Sequence, residues 1–198
     1  MMNNLLVNEK KAIHYWTSPS KFRLYREIKK ACENKYSNAT HDVEQSFIDC
    51  FNSLEHLFTK YEDNTASHKA IYRADIIENK YSKELSDDGL FLQFCNDHSK
   101  DEIFKFDDMI CSFSSCHAQA NKIATKNDKY KNERTPRVLF ILENRISKYL
   151  YIADYSQLPE EKEILTFGKN SFKVVNQEVF ENNYVEISIV EIENKGIG

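Results

Sequence analysis

The chain has 198 residues, 41% hydrophobic and 13% aromatic, with four glycines, three prolines and a formal charge of −4. That composition excludes a disordered chain and long flexible linkers, and it suits a single domain, residues 1–198, with a sizeable core. The acidic balance and a pI near 5.9 offer no field to draw in a phosphate backbone, so nucleic acid is a disfavoured partner.

The N-terminal stretch MMNNLLVNEKKAIHYW holds no apolar run long enough for a cleaved leader or a membrane span, and no membrane association is expected. Delivery by a specialised secretion machine stays open. Helical spacing follows at Phe22, Tyr25, Ile28 and Cys32, and then at Phe47, Phe51, Leu54 and Phe58, with Asp42 and Gln45 offering a capping box for the second of these helices. Residues 1–64 therefore read as a helical lobe. Strand character begins at KAIYRADII, and Asp87-Asp88-Gly89 reads as a turn. FDDMICSFSSCHAQANKIAT reads as a strand entering a helix near Ser114 or Ser115. KNDKYKNERTP reads as a surface loop ended by Pro136. Four strands are then expected in RVLFIL, EILTF, SFKVV and YVEISIVEI, the last alternating with period two. A helical front and a strand-rich back, residues 65–198, make the fold class α+β.

Five cysteines (Cys32, Cys50, Cys95, Cys111 and Cys116) with no Cys-x-x-Cys spacing read as reduced thiols rather than a disulfide framework or a zinc site. Reduced thiols imply a cytosolic working compartment. The six histidines lack metal-ligand spacing, and no metal is expected.

Three polar features interrupt apolar strands. Arg73 is either an edge-strand arginine with its head in water or a guanidinium fixed to bind phosphate or orient a carboxylate. Ser112-Phe113-Ser114-Ser115 either caps a helix or lets Ser112 hold a neighbouring catalytic group. No Gly-x-Ser-x-Gly elbow surrounds these serines, which argues against a serine nucleophile. Glu161-Lys162-Glu163 is either an exposed acidic loop end or a pair of carboxylates. In an extended strand the pair would project from one face about 7 Å apart and raise each other's proton affinity.

In their order, Arg73 in IYRAD, Ser112-Phe113-Ser114 in ICSFS and Glu161-Lys162-Glu163 in YSQLPEEKEIL resemble the mono-ADP-ribosyltransferases of the Arg-Ser-Glu class. Bacterial toxins and effectors, T-even phage enzymes and vertebrate ectoenzymes belong to that class. The resemblance runs from about Ala70 to Val175. It implies an ADP-ribosyltransferase-like fold, with the helical N-terminal lobe packed on two strand-rich sheets that form an NAD cleft. It also implies NAD⁺ as substrate and a target protein as partner. Arg73, flanked by Tyr72 and Ala74, would anchor NAD⁺. Ser112 would hold Glu163 and Ser114 would support that arrangement, with Ser112, Phe113, Ser114 and Glu163 also among the residues that bind NAD⁺. Glu163 would meet the nicotinamide-ribose hydroxyl and stabilise the oxocarbenium-like transition state. Glu161 would orient or deprotonate the acceptor, and a glutamate there favours arginine.

The chain departs from that pattern at Ile110 and Leu158, where an aromatic is common, and at Phe113, where threonine is common. Tyr155 is the aromatic that could substitute for Leu158 in acceptor recognition. The expected setting is the cytoplasm of a target cell, reached by an injected effector, a toxin domain or a phage enzyme. NAD⁺ glycohydrolysis at the same site and a non-catalytic interaction domain are the alternatives.

Overall fold

The computed structural model describes residues 4–19, 24–61, 63, 65, 68–77, 85–125 and 135–193. Within them the chain forms two compact, interleaved units. The first comprises Met1–Ser67, Phe106–Ser112 and Lys148–Lys169; the second comprises His68–Lys105, Phe113–Ser147 and Asn170–Gly198.

The first unit carries helices α1 (Val7–Trp16), α2 (Leu24–Tyr36) and α3 (Gln45–Lys60), and strands β5 (Tyr149–Tyr151) and β6 (Glu163–Phe167). Strand β3 (Ile110–Ser114) enters it through Ile110, Cys111 and Ser112 and lies beside β6. Apolar residues at three- and four-residue spacing put one stripe of each helix into a shared core. Ala12, Ile13 and Trp16 of α1, Ile28 and Cys32 of α2, and Phe51, Leu54 and Phe58 of α3 pack there with Ile110, Leu150 and Leu165. Phe167 meets the rings of Phe51 and Phe58 at 6.4 and 5.7 Å. The expected α2 and α3 stripes are thus core, save that Tyr25 and Phe47 are only partly buried and Phe22 lies outside the described residues. The expected capping box does not form. Glu44 stands at the N-cap of α3 without a side-chain cap, and Gln45 Nε2 instead donates to Asp49 Oδ1 at 2.9 Å.

The second unit carries β1 (Ile71–Ile76), α4 (Asp87–Asp97), β2 (Ile103–Lys105), the end of β3, α5 (His117–Thr125), β4 (Arg137–Asn144), β7 (Ser171–Phe180) and β8 (Tyr184–Ile192). Its strand order is β2-β7-β8-β4-β1-β3, with β4 and β8 parallel and the other registered pairs antiparallel. The alternation in β8 buries Val185, Ile187 and Ile189 on one face. Glu191 continues that buried face and accepts the Ile146 and Ser147 backbone N–H groups at 2.8 and 3.0 Å, which satisfies its carboxylate.

Two expectations are corrected in this unit. Asp87-Asp88-Gly89 is the first turn of helix α4 and not a loop. Ser86 is its N-cap, the hydroxyl accepts from Gly89 N at 3.2 Å, and the two aspartates suit the positive end of the helix dipole. Helix α5 starts at His117, later than Ser114 or Ser115. Ser114 Oγ accepts from Cys116 N at 3.1 Å in the connecting turn. Strands β2 and β5 are short and carried no pattern of their own. The expected surface loop falls on 126–134, outside the described residues.

Candidate active site

The site is built in the first unit around one carboxylate. Glu163 opens β6, directly after a corner in the backbone, and its side chain is buried. Ser112, half-buried on β3, donates its hydroxyl to Glu163 Oε1. Trp16, the last residue of α1, donates its indole N–H to the same oxygen at 2.9 Å. Among the described residues Glu163 Oε2 accepts no hydrogen bond. The backbone is fixed as well, since Ile152 N donates to the Glu163 carbonyl at 3.0 Å.

Burial pushes the Glu163 carboxyl from 4.5 up to about 7. The Ser112 and Trp16 hydrogen bonds pull it down, and the nearby Glu161 charge pushes it up again. Both donors are neutral, and they recover only part of what burial costs a charge. A buried carboxyl poised near neutrality, held by aimed donors, is an arrangement found at catalytic sites more often than in structural cores.

The segment before Glu163 is a chain of short turns. Ala153–Tyr155 and Pro159–Glu161 are single 3₁₀ turns, and between them Ser156 Oγ accepts from Leu158 N at 2.9 Å. Gln157 N donates to Thr17 Oγ1 at 3.0 Å, so the end of α1 also holds this loop. Tyr155 and Leu158 are half-buried in it. Lys162 adopts the left-handed conformation, φ 50° and ψ 48°. The backbone from Glu161 to Glu163 is therefore not extended, and the same-face strand geometry expected for the two carboxylates does not apply. Glu161 is half-buried, Lys162 exposed and Glu163 buried.

The remaining candidates belong to the second unit. Strand β1 pairs with β4 on one side and with β3 on the other, so Arg73 is not on an edge strand. Its side chain is only 15% exposed, and its Nε donates to Asp75 Oδ2 at 2.6 Å, two residues along the same face. Tyr72 and Ala74 alternate to the other face. The Tyr72 ring meets that of His117 on α5 edge-on at 5.3 Å. Phe113 and Ser114 are buried, and Ser114 is the register partner of Tyr72. Among the described residues no group of three His, Cys, Asp or Glu side chains could hold a metal ion, and no helix is long and apolar enough to cross a membrane.

Sequence reasoning brought Ser112 and Glu163 together and missed Trp16. Its signal was faint, since only the need of a buried indole N–H for an acceptor marks the residue out.

No protein-family model matches the sequence, and no curated protein matches it. Solved structures do. The ADP-ribosyltransferase Vis in complex with agmatine is 15% identical at a TM-score of 0.63, over 99% of this chain and 79% of that one; Vis has also been solved as a toxin from Vibrio splendidus. An ADP-ribosyltransferase from Clostridium botulinum is 19% identical at a TM-score of 0.63, covering 96% of this chain and 88% of that one. The C3 exoenzyme of Clostridium limosum is 16% identical at a TM-score of 0.63, covering 96% and 87%. A protein from S. aureus, solved with NAD, is 13% identical at a TM-score of 0.62, covering 96% and 89%. At these identities the likeness is one of fold.

Proposed function

We propose that this chain, which has the ADP-ribosyltransferase fold, cleaves NAD⁺ and transfers ADP-ribose to a protein side chain, with arginine the favoured acceptor. The observation that carries the reading is the buried Glu163, held by Ser112 from a strand 51 residues away and lacking a cationic partner among the described residues. A structural core has little use for such a group. A reaction that develops positive charge on a ribose does.

In the proposed reaction the bond between the ribose C1′ and the nicotinamide nitrogen breaks, and the electron pair leaves with nicotinamide. Glu163 takes a hydrogen bond from the ribose 2′-hydroxyl and stabilises the oxocarbenium-like charge. The acceptor nitrogen attacks C1′ and loses a proton, which Glu161 accepts. Arg73, with Tyr72 and Ala74 beside it, is assigned to the NAD⁺ phosphates, and Phe113 and Ser114 to the support of the serine strand. Tyr155 and Leu158 are assigned to the acceptor side. Arginine is supported by the glutamate at 161 and by agmatine, which carries the same guanidinium group, in the Vis structure. The toxin structures among those of the same fold support a role as an effector or toxin acting inside a target cell.

Labelled NAD⁺ added with the protein to candidate lysates tests the reading. The expected result is label on one or a few proteins, lost in Glu163→Gln. In Glu161→Gln the transfer falls at least roughly 10²-fold while nicotinamide release persists. Consumption of NAD⁺ with no labelled protein from any lysate would make water the acceptor and the chain a glycohydrolase. NAD⁺ cleavage undiminished in Glu163→Gln would remove the reading altogether.

A further inference from the structure

Trp16 is the only tryptophan in the chain, and its indole is 6% exposed. It packs edge-on against Tyr25 at 6.2 Å in the helical core. A buried indole N–H needs an acceptor. The acceptor here is a carboxylate oxygen 147 residues away in sequence, one that Ser112 already occupies. Two donors converging on Oε1 fix the plane of the carboxylate and leave Oε2 as the oxygen with lone pairs to offer. The neighbouring residue, Thr17, donates its hydroxyl to Ile13 O at 2.9 Å and accepts from Gln157 N at 3.0 Å. Consecutive residues at the end of α1 thus hold the glutamate and the loop that leads to it.

We propose that Trp16 is a positioning residue for Glu163: its indole N–H, with the Ser112 hydroxyl, holds Oε1 so that Oε2 is presented to the nicotinamide ribose. The inference rests on the role proposed above for Glu163. It also gives the helical lobe a part in NAD⁺ cleavage. A hydrogen bond to the charged form of an acid favours ionisation, so the indole keeps the carboxylate charged at lower pH than burial alone would permit. Four influences act on that charge: burial and Glu161 oppose it, while Ser112 and Trp16 favour it.

Two variants test this. Trp16→Phe removes the N–H and keeps an aromatic ring. Replacing Trp16 with 3-benzothienylalanine exchanges the N–H for sulfur at almost unchanged shape, so folding is preserved. In both, the acid limb of the pH profile of kcat for NAD⁺ cleavage moves up by about one unit. Activity at pH 7 falls roughly fivefold and recovers towards pH 9, while KM for NAD⁺ stays within about twofold. A loss equal at every pH, with the limb unmoved, would reduce Trp16 to packing and overturn the proposal. A second readout needs no NAD⁺. Fluorescence of this single tryptophan in the wild-type protein shows an inflection near neutral pH that Glu163→Gln abolishes; a flat titration, or an inflection that survives in Glu163→Gln, would overturn the proposal whatever the reaction. Cleavage undiminished in Glu163→Gln would instead sink the proposed role of Glu163, so the two failures are told apart.

Discussion

Two glutamates of the first unit, Glu9 and Glu163, are both shielded from solvent but keep different partners. Glu9 is 1% exposed and Glu163 8%. Glu9 accepts the Leu6 backbone N–H at 2.7 Å and Lys60 Nζ at 3.1 Å on each oxygen, and His56 Nδ1 lies 3.1 Å away. Burial raises its carboxyl, but the backbone N–H, Lys60 and His56 outweigh burial and hold it below the ordinary range. Glu163 has only neutral donors, and its carboxyl goes up to about 7. Cationic and backbone donors offset burial at Glu9, whereas at Glu163 burial outweighs its two neutral donors. Glu9 ties α1 to α3, whereas Glu163 is kept available.

The comparison breaks most visibly at Glu163. Under the proposed function, Glu163→Gln is expected to lower NAD⁺ cleavage at least roughly 10²-fold. The same variant stabilises the fold on the alkaline side. A folded-state value of about 7 against an ordinary 4.5 means that the stability from the protonated form is full below 4.5 and is lost as pH rises to about 7. At about 1.4 kcal/mol per unit that loss is about 3 kcal/mol. Urea denaturation at pH 9 reads Glu163→Gln as the more stable protein, and at pH 4 as the equal of the wild type. Equal stability at pH 9 would mean that the carboxylate is better solvated than its burial implies.

Glu9→Gln runs the other way. Removing the charge leaves a buried amide against Lys60 and costs roughly 1–3 kcal/mol at pH 7. Because the folded value of Glu9 is depressed, its contribution is present above 4.5 and is lost as pH falls through the folded value. The variant is therefore insensitive to that acid range, while kcat per folded molecule is unchanged. The smallest effect belongs to Lys60→Met, because Lys60 is 30% exposed. Its loss costs little stability at pH 7, because solvent screens the charge. It also moves the Glu9 titration, followed by carboxyl NMR, upward towards that of Glu163.

The α+β class and the pairing of Ser112 with Glu163 were legible in the sequence, and several short elements around them were not. Ser112 and Glu163 stood out because polar residues interrupted apolar strands, and that pattern is local. The helical stripes of α2 and α3 and the alternation of β8 are likewise periodic signals. Helix α4 was hidden because Ser-Asp-Asp-Gly serves a turn and a helix start equally well, and only the Ser86 cap on Gly89 decides between them. Strands β2 and β5 are three residues each, too short for any period to show. Trp16 lay beyond reach because its role depends on a partner 147 residues away, which no spacing within α1 encodes.

Lys162 has a further consequence. With its backbone left-handed, the tripeptide Glu161-Lys162-Glu163 is a corner, and the middle residue sets the angle between the two carboxylates. The middle position of this acidic motif is therefore constrained through its main chain. Residues that tolerate positive φ, such as glycine and asparagine, are interchangeable there with lysine, whereas valine or isoleucine would turn one acid away from the other. A search for distant relatives gains by treating the position as conformational punctuation rather than as a blank.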